Sequence, residues 1–93
     1  MSITRINEFQ AKEGQGDKVR ELLNSYAPVL RSSDGFHSRQ VLQNISNPTR
    51  IVVIEVWDTI HAHQTAAKKI TVNAFERTMM LLASPPKGEY YRA

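Results

Sequence analysis

Apolar residues recur along the chain with two different periods, which predict alternating strands and helices. Residues 3–11 and 36–45 alternate in part between apolar and polar side chains, as half-buried strands do. Between them, apolar side chains recur every three or four positions, at Val19, Leu22, Leu23, Tyr26, Val29 and Leu30. This spacing predicts a helix with one buried face. We expect Asp17 to cap its N-terminus and Pro28 to kink its last turn.

The most apolar segment, residues 50–57, carries β-branched side chains on both alternating faces, which is typical of a central buried strand. A turn at residues 47–48 predicts a hairpin with the strand before it. Asp58 and Thr59 are candidate caps for the helical region that follows. Apolar residues of this region fall into two segments, the first with Ile60, Ala62, Ala66, Ala67 and Ile70, the second with Val72, Phe75, Met79 and Leu82 on one face. Residues 89–92 are predicted to form a closing strand.

The resulting order is strand, helix, strand, strand, helical region, strand. It predicts an α+β fold of ferredoxin-like β-α-β-β-α-β order, in one domain over residues 1–93. Right-handed crossovers place both helical layers on one face of a four-stranded antiparallel sheet. The strand at residues 50–57 is apolar on its other face as well, so that face also needs cover. We therefore expect a homodimer.

The composition excludes several classes of protein. The chain has no cysteine, which excludes disulfides, cysteine-ligated zinc, iron–sulfur clusters and a thiol nucleophile. The net charge is +3, but the basic residues are scattered, and Ile51, Val53 and Glu55 stand where RNA-binding domains of this order display aromatic side chains. No nucleic-acid partner is expected. The N-terminus lacks a secretory signal and the longest apolar run is far too short to cross a bilayer, so we expect a cytoplasmic protein without a membrane partner.

Polar residues interrupt the apolar faces of three predicted strands. Asn7 shares a face with Ile3 and Phe9, and Glu55 lies between Val53 and Trp57. The second strand has a mixed face with His37, Arg39, Val41, Gln43 and Ile45. A polar group in a dry interior costs several kcal/mol unless it finds a partner, so such a pattern is typical of a pocket with a few fixed polar groups. Alternatively, Glu55 forms a structural ion pair with a neighbouring strand, through either Arg5 or Arg39.

Three further residues are candidates for chemistry. Trp57 ends its strand, where an indole can form a cavity wall or simply belong to the core. His61 and His63 are two positions apart and point to different sides of a helix, so we expect no metal site. His63 alone is a candidate acid or base because a histidine ordinarily titrates near neutral pH, although a solvated helix histidine is the plainer interpretation.

Several segments together resemble antibiotic biosynthesis monooxygenase domains. They are residues 3–14, Gly35-Phe36, Asn47-Pro48 and residues 54–58, where Glu-x-Trp ends a strand before a helix. The resemblance covers nearly the whole chain. It implies a dimeric α+β barrel with a cavity between the sheet and the helices of each subunit.

The resemblance also implies chemistry. The family includes cofactor-independent monooxygenases that oxidise quinol-like aromatic compounds with molecular oxygen, quinol-handling proteins and haem-degrading enzymes. Trp57 matches the family's strand-end tryptophan, His63 falls where some members carry a polar aromatic facing the pocket, and Asn7 matches an asparagine of the haem-degrading branch. The chain departs from the family pattern at Ala66 and Thr71, where many members have histidines, and it has no histidine after residue 63. Haem is therefore disfavoured.

The resemblance therefore implies a monooxygenase that acts on a small hydrophobic aromatic or quinol-like molecule without metal, flavin or other cofactor. Asn7 and Trp57 are expected to orient the substrate, and His63 or His37 to accept a proton. Arg39 is expected to steady the oxyanion, with His37 and Glu55 as further substrate-binding residues. The alternative is a non-catalytic domain that binds a small ligand.

Overall fold

The computed structural model describes all 93 residues, which form four strands and four helices. In chain order these are β1 (Ile3–Gln10), α1 (Gly16–Ser25), α2 (Ala27–Arg31), β2 (Phe36–Gln43), β3 (Arg50–Trp57), α3 (Ile60–Ala67), α4 (Val72–Met80) and β4 (Lys87–Tyr91). Each helical layer is divided into two helices, and the predicted α+β ferredoxin-like order is confirmed. No helix combines the length and apolar character that crossing a membrane requires.

The strands form one antiparallel sheet in the order β2-β3-β1-β4. β3 lies between β2 and β1, as its apolar sequence predicts, and β2 is its hairpin partner. The register aligns Arg39 with Glu55, Glu55 with Arg5, and Arg5 with Tyr90. Four side chains with polar groups therefore form one row across all four strands.

The helices cover one face of the sheet. On β3 this face carries Ile51, Val53, Glu55 and Trp57, all buried. The opposite face holds apolar side chains that are only partly buried or exposed, namely Ile6, Leu42, Val52, Ile54 and Val56. The pattern agrees with a sheet that has a second apolar face, but the cover expected for that face remains a prediction.

The start of α1 differs from the prediction that Asp17 caps it. The N-cap is Gln15, which makes no capping hydrogen bond with its side chain, and Asp17 lies inside the first turn. A Cβ on Gly16 would overlap the backbone of Pro48, so the helix begins in close contact with the β2–β3 turn. There the Asp17 carboxylate accepts a hydrogen bond from Gln43 Nε2 at 3.0 Å. The predicted cap is wrong because this contact with β2 takes the carboxylate away from the helix end.

Two other helix boundaries agree with their sequence signals. Thr59 caps α3, since its hydroxyl accepts a hydrogen bond from the Ala62 N–H at 3.0 Å. Pro28 lies in the first turn of α2, where the N–H that proline lacks would have no partner within the helix. Instead of the kink expected within one helix, the chain breaks into two helices near Tyr26.

The predicted buried face of α4 is partly wrong. Val72 is 71% exposed and Phe75 is 52% exposed, whereas Thr78 is 2% exposed. The Thr78 hydroxyl shares a hydrogen bond with the Tyr26 hydroxyl, which also donates to the Ala74 carbonyl at 3.0 Å. Because its hydroxyl is satisfied, threonine can lie inside at little cost and the helix turns accordingly. Val72 and Phe75 are left at the rim of the cavity described below.

Candidate active site

A cavity of about 470 Å³ lies between the sheet and the helices. Its walls are mainly apolar, and they include Phe9, Leu23, Leu30, Val53, Ile70 and Met79. A smaller number of polar side chains reach the same space, namely Arg5, Asn7, Arg39, Glu55, His63 and Thr78. A mainly apolar cavity of this size with a few polar groups is typical of a small-molecule site.

Glu55 is the centre of the polar network. It is 4% exposed, and its two carboxylate oxygens have different partners. Oε2 accepts a hydrogen bond from Arg39 Nε at 2.9 Å, and Oε1 accepts one from Trp57 Nε1 at 2.8 Å. Of the two ion pairs left open by the sequence, the one with Arg39 is formed. Both side chains are nearly inaccessible to solvent, so this is a buried, hydrogen-bonded charge pair.

His63 lies on α3 and points into the same network. A hydrogen bond of 2.7 Å joins its Nδ1 to the Tyr90 hydroxyl, and its Nε2 lies 3.8 Å from Glu55 Oε1. Its ring packs edge-on against Trp57. Burial lowers the pKa of His63 below its ordinary value of 6.5; Glu55 opposes this shift and Arg5 adds to it. The imidazole is therefore neutral at neutral pH and can accept a proton.

Asn7 and Arg5, both on β1, have unused hydrogen-bonding capacity. The Asn7 side chain makes no hydrogen bond within the protein, and Arg5 Nε is buried without a partner. The Arg5 guanidinium lies over the Tyr90 ring, 4.4 Å from its centroid. Opposite Asn7 on β4 is Gly88, where a Cβ would overlap both the Arg5 guanidinium and the Asn7 amide oxygen. Glycine at this position thus makes room for both groups.

Four of the six residues selected from the sequence come together at this cavity: Asn7, Arg39, Glu55 and His63. Trp57 is fully buried and does not line the cavity; it lies behind His63 and Glu55, which it contacts. His37 is away from the site and exposed, where it pairs with Asp58. The expectation that His37 shares a face with Arg39 is wrong, because a β-bulge between Phe36 and Ser38 interrupts the alternation.

Two residues at the site were not selected from the sequence. The sequence indicates Arg5 only as one of two candidate partners of Glu55, and Tyr90 only as part of a closing strand. The sequence does contain a signal that Arg5 belongs to the site, because Arg5 shares a strand face with Asn7. Moreover, Glu55 needs only one arginine as its partner, which leaves the other, Arg5 or Arg39, available to a ligand. No group of three or more His, Asp or Glu side chains is arranged to hold a metal ion.

The protonation of His63 gives a direct test of this arrangement. By NMR titration we expect its pKa to lie below 6.5, and to rise in Arg5→Met because the Arg5 charge contributes to the lowering. The unfolded chain binds this proton more readily than the folded chain. The stability contributed by neutral His63 is therefore complete above pH 6.5 and is lost as the pH falls toward the lowered folded-state pKa. A folded-state pKa at or above 6.5 would contradict the description of His63 as a buried neutral base.

Comparisons with known proteins agree with this fold. The chain superposes on a provisionally assigned antibiotic biosynthesis monooxygenase from Nitrosomonas europaea with a TM-score of 0.89 and 18% identity, covering 99% of this chain and 89% of the other. For Rv0793 from Mycobacterium tuberculosis the TM-score is 0.86 with 17% identity, over 100% and 95% of the two chains. For SnoaB from Streptomyces nogalater, described as a cofactor-independent oxygenase, it is 0.81 with 18% identity, over 99% and 92%. At these identities the likeness establishes the fold.

Sequence comparison establishes the family. No curated protein matches the chain significantly. The sequence profile described as antibiotic biosynthesis monooxygenase, however, matches residues 2–77, which is most of the chain. The protein thus belongs to the antibiotic biosynthesis monooxygenase family.

Proposed function

We propose that the protein is a cofactor-independent monooxygenase that acts on a small, hydrophobic aromatic or quinol-like substrate. The observation that carries the proposal is a neutral, buried His63 at an apolar cavity where an amide and a guanidinium lack protein partners. Family membership supports monooxygenase chemistry. The description of SnoaB as a cofactor-independent oxygenase supports chemistry without a bound cofactor.

The first step is removal of a proton from the substrate by His63. In this role Nδ1–H donates to the Tyr90 hydroxyl, which leaves Nε2 free to accept. The imidazolium that forms is stabilised by the Glu55 carboxylate, 3.8 Å from Nε2. Trp57 holds both the ring and the carboxylate in place. His37 is a poorer candidate for the base, since it is exposed and lies outside the cavity.

The substrate anion then supplies the electrons that reduce oxygen. For an anthrone, the carbanion at the ring methylene transfers electrons to O2 and a carbon–oxygen bond forms. The second oxygen atom leaves as water together with the two methylene hydrogens, so that one anthrone and one O2 give one quinone and one water. The protein's part is to keep the anion dry and oriented, with Asn7 as hydrogen-bonding partner and the apolar walls excluding water.

Arg39 has a supporting role in this scheme. Its Nε is bound to Glu55, so it fixes the carboxylate that steadies protonated His63 while its positive charge lies at the cavity wall. Glu55 also has a supporting role, because it stabilises protonated His63 and accepts a hydrogen bond from Trp57. Part of its side chain lines the cavity, where it can also contact the substrate.

Haem degradation fits the residues less well. His63 is the only histidine that lines the cavity, and its two nitrogens face Tyr90 and Glu55. His63 cannot serve as both the base and an axial iron ligand, and the later helix α4 offers no second histidine, since the chain has none after residue 63. The chain therefore offers Asn7 but no suitable proximal ligand for haem.

The proposal includes a homodimer built on the uncovered face of the sheet. That face carries Ile6, Leu42, Val52, Ile54 and Val56, a set of apolar side chains that a second copy would bury. Light scattering at micromolar concentration is expected to give twice the mass of the 10.6 kDa chain. A monomeric mass would contradict the dimer without affecting the proposed chemistry.

Oxygen uptake tests the proposed activity. Purified protein, treated with a chelator and without added flavin, is expected to raise the rate of oxygen uptake well above background with at least one member of a panel of hydroquinones and anthrones. Uptake at background by correctly folded protein would contradict the proposal. Tight binding of these compounds without turnover would instead identify a ligand-binding domain.

A further inference from the structure

The positive charge of Arg5 at the cavity has no counterpart in the protein. We propose that Arg5 is an anion anchor, so that the cavity selects aromatic ligands carrying one ionised oxygen group. This inference rests on the proposed function in one respect, that the cavity is the substrate site. It adds a chemical requirement on the substrate and a residue that enforces it.

No carboxylate near Arg5 forms a salt bridge with it. Glu55 lies opposite Arg5 in the β1–β3 register, but both of its oxygens are occupied, one by Arg39 and the other by Trp57. Arg5 forms no salt bridge of its own, and its Nε is the one buried side-chain nitrogen or oxygen in the chain without a hydrogen-bond partner. Buried donors are almost always satisfied, so this exception shows that the protein itself supplies no acceptor for the Arg5 side chain. With Arg39 and Glu55 neutralising each other, the polar row has an excess of one positive charge.

The geometry holds the guanidinium ready for a ligand. Its position over the Tyr90 ring restricts its motion, which lowers the entropy cost of binding. The absence of a side chain at Gly88 leaves a notch in which the Arg5 guanidinium and the Asn7 amide lie close together. The guanidinium can donate two parallel hydrogen bonds to a planar anionic oxygen group, whereas Asn7 turns its amide oxygen, an acceptor, toward the notch.

The rest of the cavity defines the body of the ligand. Its walls are mainly apolar, with Phe9, Val53 and Met79 among them, so a ligand with several charges would leave some of them unpaired. A single anionic group on a flat apolar ring system satisfies both parts of the site. A carboxylate and a delocalised enolate share this chemistry, and binding measurements can separate them.

The test compares matched ligands that differ in charge. By isothermal titration calorimetry, 2-naphthoate is compared with neutral 2-naphthamide, and ionised 2-hydroxy-1,4-naphthoquinone with its neutral 2-methoxy analogue. Because a hydrogen bond to a charged group contributes more than one between neutral groups, we expect at least one anion to bind roughly ten- to a hundredfold more tightly than its neutral partner. Preference for the naphthoate alone would indicate a carboxylate substrate, and preference for the naphthoquinone anion alone an enolate.

Substitution of Arg5 shows whether it is the anchor. Arg5→Met should bring the affinity ratio of anion to neutral ligand close to one, while the affinity for the neutral ligand changes little. Arg50→Met is the matched control, since Arg50 is exposed, does not line the cavity and carries the same charge. It should keep the full ratio.

Gly88→Ala provides an independent variant if Arg5→Met does not fold. The added Cβ would meet both the Arg5 guanidinium and the Asn7 amide oxygen; it should push the guanidinium aside without changing its charge and so lower the same ratio, with near-ultraviolet circular dichroism reporting the fold. Equal affinities for anion and neutral ligand in the unmodified protein, or full selectivity in Arg5→Met, would overturn the inference. If none of the four ligands bound, the inference would be overturned as well. In that case, oxygen uptake with neutral quinols would still support the proposed function.

Discussion

Replacing His63 by glutamine is expected to lower kcat/KM for oxygen uptake by roughly 10²- to 10⁴-fold, the usual contribution of a positioned general base. Glutamine can still form a hydrogen bond with Tyr90, but it cannot accept a proton from the substrate. The loss should appear mainly in kcat, since the apolar walls that bind the substrate are unchanged. Initial rates with the best substrate of the quinol and anthrone panel provide the measurement.

His61→Gln is the control for this experiment. His61 lies on α3 two positions earlier, is exposed, and makes only a long hydrogen bond of 3.5 Å with Thr65. Its replacement should leave kcat/KM within about twofold, as for most surface changes. If His61→Gln and His63→Gln lowered the rate equally, or if His63→Gln retained full activity, His63 would not be the base.

Replacing Glu55 by glutamine is expected to lower the free energy of unfolding by about 3 to 5 kcal/mol, because it leaves the buried Arg39 charge without its partner. The single oxygen of glutamine can still accept the Trp57 N–H, so the loss comes from the charge pair and the hydrogen bond with Arg39. Urea unfolding followed by the fluorescence of Trp57 gives the measurement.

Two further variants separate the charge pair from other effects. Glu89→Gln removes a carboxylate that is exposed on β4, and it should change stability by no more than about 0.5 kcal/mol. Combining Glu55→Gln with Arg39→Met removes both charges and should recover much of the lost stability. A double variant as unstable as the sum of the two single ones would show that no such pairing exists.

The order of strands and helices could be predicted from the sequence because each segment has a clear apolar period and is separated from the next by turn residues. The errors arose where tertiary contacts decide. Asp17 turns toward Gln43 instead of capping its own helix, and Thr78 is buried because Tyr26, far away in sequence, satisfies its hydroxyl. A single-sequence pattern contains neither contact.

The candidate site could be predicted in part, wherever the regular alternation of a strand decides which face a side chain lies on. Strand alternation correctly placed Asn7 and Glu55 on the face that lines the cavity. It failed for His37, because a bulge adds a residue that the alternation cannot show. The register places both Arg5 and Arg39 opposite Glu55, so it does not decide which arginine forms the ion pair. Only the side-chain geometry shows that Arg39 is the partner and that Arg5 remains unpaired.

Isotope labelling during oxidation of an anthrone tests the central claim most directly. With ¹⁸O2 and chelator-treated, flavin-free protein, mass spectrometry of the quinone formed at the enzymatic rate should show one labelled oxygen per product molecule. The same reaction in ¹⁸O-labelled water under unlabelled oxygen should place no label in the new carbonyl at short times. Product without label from ¹⁸O2, or product formed no faster than with His63→Gln, would contradict the assignment of this cavity as a monooxygenase site.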